Sequence, residues 1–148
     1  MGQRTELKPM RVLFVCFGNL CRSPMAVGLA RKILGDPAVF ESAGISPGDA
    51  QATDEAIEVM REMGIDIRGH RPRRVSSVNL NDFDFIIAMD SNVNLQLKSL
   101  LSDRPDKVLV WNVDDPWKRD IEDYRKCAET IRSKLSELRK VLQEAEHA

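Results

Sequence analysis

The chain has 148 residues, with 22 Lys and Arg against 23 Asp and Glu and a net charge of −1. That length suits one domain with a sizeable core, and so balanced a charge gives no field for nucleic acid or an anionic membrane. No apolar run approaches the roughly 20 residues of a membrane span, and three cysteines make no disulfide framework, so no membrane and a cytoplasmic location are expected.

Residues 1–9 are polar and lack the apolar stretch of a secretion signal; they read as a flexible extension before one domain over 10–148. Met1-Gly2 opens like a myristoylation site, but Glu6 stands where Ser or Thr is needed. The apolar run Val12-Leu13-Phe14-Val15 predicts a buried strand over 11–15. A helix over 23–34 follows, with Ser23 as its N-cap, Pro24 in its first helical position, and Gly35-Asp36-Pro37 as its stop. A second strand covers 38–42, Ala43-Gly44 is a turn, and 46–51 is a polar loop around Pro47-Gly48. Thr53 caps a helix ending near Met63-Gly64, and 65–75 is irregular and basic. One helical turn falls within 78–83. Phe85-Ile86-Ile87-Ala88 is a third buried strand, and a helix runs on to Leu101. Arg104-Pro105-Asp106 is a turn and 107–113 a fourth strand. Ile121, Tyr124, Ala128, Ile131, Leu135, Leu138 and Leu142 form one apolar stripe on a last helix from about 120 into the 140s. Strands alternating with helices predict a single-domain α/β fold, a four-stranded parallel flavodoxin-like sheet with helices on both faces.

The most informative stretch is Val15-Cys16-Phe17-Gly18-Asn19-Leu20-Cys21-Arg22-Ser23-Pro24. It joins a strand to a helix N-terminus, where backbone N–H groups and the helix dipole favour an anion. Gly18 and Asn19 tolerate the left-handed conformations that an anion nest requires. Arg22 can hold two phosphate oxygens side by side. A positive site favours the thiolate of Cys16, the form that attacks phosphorus. The bland reading is a buried structural cysteine beside a turn. A zinc site fails on counting: besides Cys16 and Cys21 there are one cysteine and two histidines, with no second pair. No metal and no cofactor are expected.

At every fixed position this loop resembles V-C-x-G-N-x-C-R-S-P, the active-site loop of the low-molecular-weight protein tyrosine phosphatases. The resemblance covers about Met10 to the last helix, and it implies strand order 2-1-3-4. It also implies hydrolysis of phosphotyrosine monoesters in proteins through a phosphocysteine on Cys16, with Arg22 binding the phosphoryl group. Phe17, Gly18, Asn19, Leu20, Cys21 and Ser23 would line the substrate loop, and Ser23 would help the Cys16 thiolate to leave. Asp115-Pro116-Trp117 matches the segment that carries the family's general acid, which assigns that role to Asp115 over Asp114. Trp117 would wall an aromatic ring. Ser42, in Ser42-Ala43-Gly44, and His70 match residues that support the loop, and Met89-Asp90 matches the start of another family segment. The expected partners are a tyrosine-phosphorylated protein, a tyrosine kinase among the candidates, and phosphate or other oxyanions in the loop.

Three features depart from the family pattern. No aromatic follows Ser42-Ala43-Gly44, Trp117-Lys118 replaces a tyrosine pair, and Val93 stands where Asn is usual. Two rival activities share the loop. Thiol-linked arsenate reduction needs resolving cysteines after the third strand, and none is there. Protein-arginine phosphatases resemble this loop but carry Thr at the position of Leu20. In family members paired loop cysteines form a reversible disulfide, so Cys21 is a redox candidate; its other reading is a small residue filling space under the loop. Arg68, Arg71, Arg73 and Arg74 read as a solvated basic loop, and Cys127 as a core residue.

Overall fold

The computed structural model describes residues 9–101 and 107–146. Its strands are β1 (Arg11–Cys16), β2 (Val39–Gly44), β3 (Phe85–Ala88) and β4 (Val108–Val110). Its α-helices are α1 (Arg22–Ile33), α2 (Asp54–Glu62), α3 (Ser91–Leu100) and α4 (Ile121–Glu146). The sheet order is β2-β1-β3-β4, and every pairing is parallel. The expected fold class, a single α/β domain with strand order 2-1-3-4, is the observed one.

β1 is central, so both of its faces are covered and Val12 to Val15 are fully buried. Alternate residues face opposite ways. Val12 and Phe14 join the core of α1, α2 and α4, while Leu13 and Val15 join that of α3. Phe14 packs on Phe40 and Trp111 with ring centroids 6.2 and 5.6 Å apart. The apolar stripe of α4 is buried as its spacing requires. Among the described residues no helix is long and apolar enough to cross a membrane.

Connections from β1 and β3 leave the sheet in opposite directions, which makes the carboxyl end of β1 the switch point where ligands bind in such sheets. Cys16 is the last residue of β1 and pairs with Gly44.

Several boundaries differ from the sequence reading. Gly44 ends a strand and is not a turn residue. A Cβ there would lie 2.8 Å from the Asn19 Cβ and 2.9 Å from its nitrogen, so glycine serves close approach. Ser23 is not the cap of α1, because the helix begins at Arg22 after Cys21 and the Ser23 hydroxyl is engaged inside the loop. Pro24 sits in the third helical position, whose N–H has no intrahelical partner anyway. β4 is three residues long because β3, its partner, stops at Ala88. The chain still follows it, with Trp111 N–H donating to Ala88 O at 2.8 Å and Val113 N–H to Met89 O at 3.0 Å. Thr53 caps α2 as expected, accepting from Ala56 N–H at 3.3 Å. The extension, save its last residue, and the turn at Arg104-Pro105-Asp106 lie outside the described residues.

Candidate active site

The loop between β1 and α1 is held by hydrogen bonds that converge on Asn19. This residue is fully buried with φ 57°, a left-handed conformation that Asn tolerates better than most residues. Its side-chain amide donates to Ser23 Oγ at 2.7 Å and Ser42 Oγ at 3.0 Å. Its Oδ1 accepts from Arg73 N–H at 3.0 Å, and its backbone carbonyl accepts from His70 Nε2 at 2.7 Å. A carbonyl only accepts, so Nε2 carries the proton. Burial, with Arg71 and Arg73 nearby, holds His70 below its ordinary range despite that bond.

This scaffold aims donors at one sulfur. Cys16 Sγ is 3.1 Å from Asn19 N–H and 2.9 Å from Ser23 Oγ. Because Asn19 donates to Ser23, the Ser23 hydroxyl proton is available to the sulfur. The thiol is 2% exposed, at the foot of the nest.

Arg22 closes the loop and is 2% exposed. Its Nη1 donates to Asp90 Oδ2 and to Val113 O, both at 2.9 Å, and its Nη2 lies 3.6 Å from Asp115 Oδ2. Burial works against its charge, but Cys16, Asp90 and Asp115 outweigh that and raise its pKa. Its Nε is buried with no partner among the described residues, a donor that suits an oxyanion. Asp90 is kept below the usual carboxylate range: burial pushes it up, and Val93 N–H and Arg22 more than reverse this.

Above the sulfur lies a cleft of about 160 Å³ between Phe17 and Trp117. Its walls include Cys16, Gly18, Leu20, Cys21, Arg22 and Asp115, with Ser46 and Gly48 on the β2 side. Phe17 and Trp117 are about half exposed, and Lys118 Nζ sits 4.6 Å from the Trp117 ring centre. Asp115 Oδ1 accepts from Trp117 N–H at 3.1 Å, which leaves Oδ2 toward Arg22. Asp114 does not line this cleft; it lines an adjoining pocket with Asn112, Arg119 and Cys127, which Asp115 lines as well.

Cys21 lines the cleft, but its sulfur has its partners on other elements. Its Sγ is 3.4 Å from Tyr124 OH on α4 and 3.7 Å from Thr53 Oγ1 before α2. Burial pushes this thiol up to about 11, and that of Cys127 to about 12.

The structure thus brings the expected residues together in two shells. Cys16, Phe17, Gly18, Leu20, Cys21, Arg22, Asp115 and Trp117 line the cleft, while Asn19, Ser23, Ser42 and His70 stand behind it in one hydrogen-bonded network. Four further residues belong with them. Asp90 caps α3 through Val93 N–H and holds Arg22; an Asp after an apolar strand was its signal as a cap, but nothing local announced the arginine. Arg73 was read as solvated. Its guanidinium instead donates to Ser42 O and Glu41, because its N–H must meet Asn19 and its side chain then lies along β2. Ser46 and Gly48 had no signal beyond lying in a polar loop.

Fold and site define a class: α/β proteins with a thiol at the head, and a guanidinium at the close, of an anion-shaped loop at the sheet's switch point. Residues 11–148 match the family model described as low molecular weight phosphotyrosine protein phosphatase, and the chain belongs to that family. It is accordingly an enzyme of a cysteine-based phosphatase family. It is 32% identical over 126 residues to arsenate reductase 2 of Staphylococcus haemolyticus, covering 84% of this chain and 92% of that one. Among solved structures it resembles a low molecular weight protein tyrosine phosphatase from T. tengcongensis, with TM-score 0.80 and 36% identity over 87% of this chain and 97% of that one. It also resembles the YwlE arginine phosphatase from Geobacillus stearothermophilus, with TM-score 0.82 and 27% identity over 93% and 96% of the two chains.

Proposed function

We propose that this protein hydrolyses phosphotyrosine monoesters in proteins, with Cys16 as nucleophile, Arg22 as phosphoryl clamp and Asp115 as general acid. The carrying observation is the placement of the Cys16 sulfur: it meets Asn19 N–H and Ser23 Oγ beneath a cleft that Arg22 and Asp115 both line. In the first step the thiolate attacks phosphorus and the bond to the tyrosyl oxygen breaks. Asp115 gives its proton to that oxygen, which leaves as the phenol. In the second step Asp115 takes a proton from water, the water oxygen attacks phosphorus, and the sulfur leaves as thiolate while accepting from Ser23. Arg22 spreads the charge on the transferring group throughout.

A tyrosine ester is favoured by the apolar side chain of Leu20 and the aromatic flanks Phe17 and Trp117. Arsenate reduction, named for several relatives of this chain, passes a disulfide along the chain. Here no cysteine lies between Cys21 and Cys127, and Cys127 is buried as a thiol. Side-by-side turnover of a phosphotyrosine peptide, a phosphoarginine peptide and arsenate tests the reading. Phosphotyrosine should lead by at least about tenfold in kcat/KM, about 1.4 kcal/mol. A lead for either rival would reassign the substrate.

A further inference from the structure

Behind the catalytic loop, on the side away from the cleft, lies a second cavity of about 900 Å³. Its apolar floor is Pro24, Val27 and Gly28 of α1 with Ile65 and Ile67. A Cβ on Gly28 would come within 2.9 Å of Ile65 and 3.0 Å of Ile67, so this glycine sets how closely the segment packs on α1.

The rim is basic. Arg31, Lys32, Arg71 and Arg73 line the cavity against two carboxylates, Glu41 and Asp66. Both carboxylates are already paired: Glu41 with Arg11 and Arg73, at 2.6 and 2.8 Å, and Asp66 with Arg68 at 3.0 Å. Arg31, Lys32 and Arg71 have no carboxylate partner among the described residues. Arg31 donates to Phe40 O, Lys32 to Met63 O, and Arg71 to the carbonyls of Arg68 and His70. Carbonyls satisfy the N–H groups but leave the positive charge in place.

Three wall residues touch Asn19. Ser42 Oγ accepts from its amide, Arg73 N–H donates to its Oδ1, and His70 Nε2 donates to its carbonyl. Asn19 in turn presents its own N–H to Cys16 Sγ. A ligand that moved this wall would therefore move the donor set on the sulfur.

We propose that this rear cavity binds an amphiphilic organic anion, an apolar or aromatic body carrying a phosphate, phosphonate or sulfonate, and that occupancy changes turnover at Cys16. The apolar body would cover the α1 floor and the anionic head would meet Arg31, Lys32 and Arg71. Inorganic phosphate alone would leave the floor uncovered and bind there weakly. The binding claim is independent of the function proposed for Cys16, whereas the effect on turnover rests on it.

The probe is 8-anilinonaphthalene-1-sulfonate, titrated by fluorescence into the full chain with orthovanadate present to occupy the catalytic loop. One saturable site is expected. The double variant Arg31→Gln, Arg71→Gln should weaken it at least about tenfold. Gly69→Trp should weaken it similarly, since a Cβ at that rim position meets nothing within 4 Å and its backbone is not left-handed. Trp117→Ala, which alters only the cleft, should leave it unchanged. Binding that survives both rim changes, or that is lost in Trp117→Ala, overturns the site. With p-nitrophenyl phosphate as substrate, saturating probe should change kcat by at least about twofold at nearly constant KM. A rise in KM alone would place the probe in the cleft, and binding without any change in kcat would overturn the coupling. If wild type shows no turnover, the function proposed for Cys16 fails while the fluorescence arm still decides the site.

Discussion

Arg22 makes two kinds of contact with one planar group. Its Nη1 is committed to Asp90 and Val113 O, so Nε, with no partner among the described residues, and Nη2, 3.6 Å from Asp115 Oδ2, are left to face an oxyanion. A lysine would keep the charge and lose the fork. Arg22→Lys is expected to lose at least about a hundredfold in kcat, roughly 2.7 kcal/mol; steady-state kinetics near wild type would place this arginine outside the reaction. The two neighbouring carboxylates are separable by the same means. Asp115 lies on both the cleft and the pocket beyond it, and Asp114 on that pocket alone. Asp115→Ala should slow a phosphotyrosine peptide far more than an ester whose leaving group needs no proton. Asp114→Ala should affect both esters little. Equal losses on the two esters for Asp115→Ala would make its role structural.

Two secondary-structure ends carry site residues, and each end can be altered separately from the chemistry. Asp90 caps α3 with Oδ1 and holds Arg22 with Oδ2. Serine keeps an oxygen for Val93 N–H but has none for the guanidinium. Asp90→Ser should therefore keep the cap of α3 while kcat falls at least about tenfold. Asp90→Ala should lose the same activity and a further ~1 kcal/mol of stability by denaturant titration. Equal kcat in wild type and Asp90→Ser would show that Arg22 needs no carboxylate behind it. Cys21 is held between Thr53 at the start of α2 and Tyr124 on α4. To pair with Cys16 it must leave both, because a disulfide requires about 2.05 Å between sulfurs. Peroxide would convert Cys16 to a sulfenic acid, and the Cys21 thiol would displace water from it. After peroxide and then dithiothreitol, wild type should regain most activity and Cys21→Ser little. Equal recovery would leave Cys21 as a packing residue.

Across the whole molecule, what was legible in the sequence is what local pattern encodes. The run 12–15, the Gly18-Asn19 turn and Pro24 announce a strand, a nest and a helix, and alternating strands and helices announce the parallel sheet. The loop string identified the family, and the sheet rule then put Asp115 on the same edge as Cys16. Long-range contacts were not legible. Ser23 looks like a cap because Ser before Pro often is one, but Cys16 and Asn19 use its hydroxyl. Gly44 looks like a turn because glycine usually marks one, yet here it admits Asn19 against β2. Arg73 and Asp90 reach partners 54 and 68 residues away, a separation at which no periodicity carries information. All these contacts converge on one sulfur, so the most direct test is to trap what forms there. p-Nitrophenyl phosphate, whose leaving group needs no proton from Asp115, is mixed with excess Asp115→Ala enzyme, so that formation of the intermediate is spared while its breakdown is slowed, and the reaction is acid-quenched within one turnover. Mass spectrometry of the digest should find a phosphoryl group on Cys16. Product released with no phosphoryl on Cys16, or a phosphoryl group on Cys21 or Cys127 instead, would contradict the account.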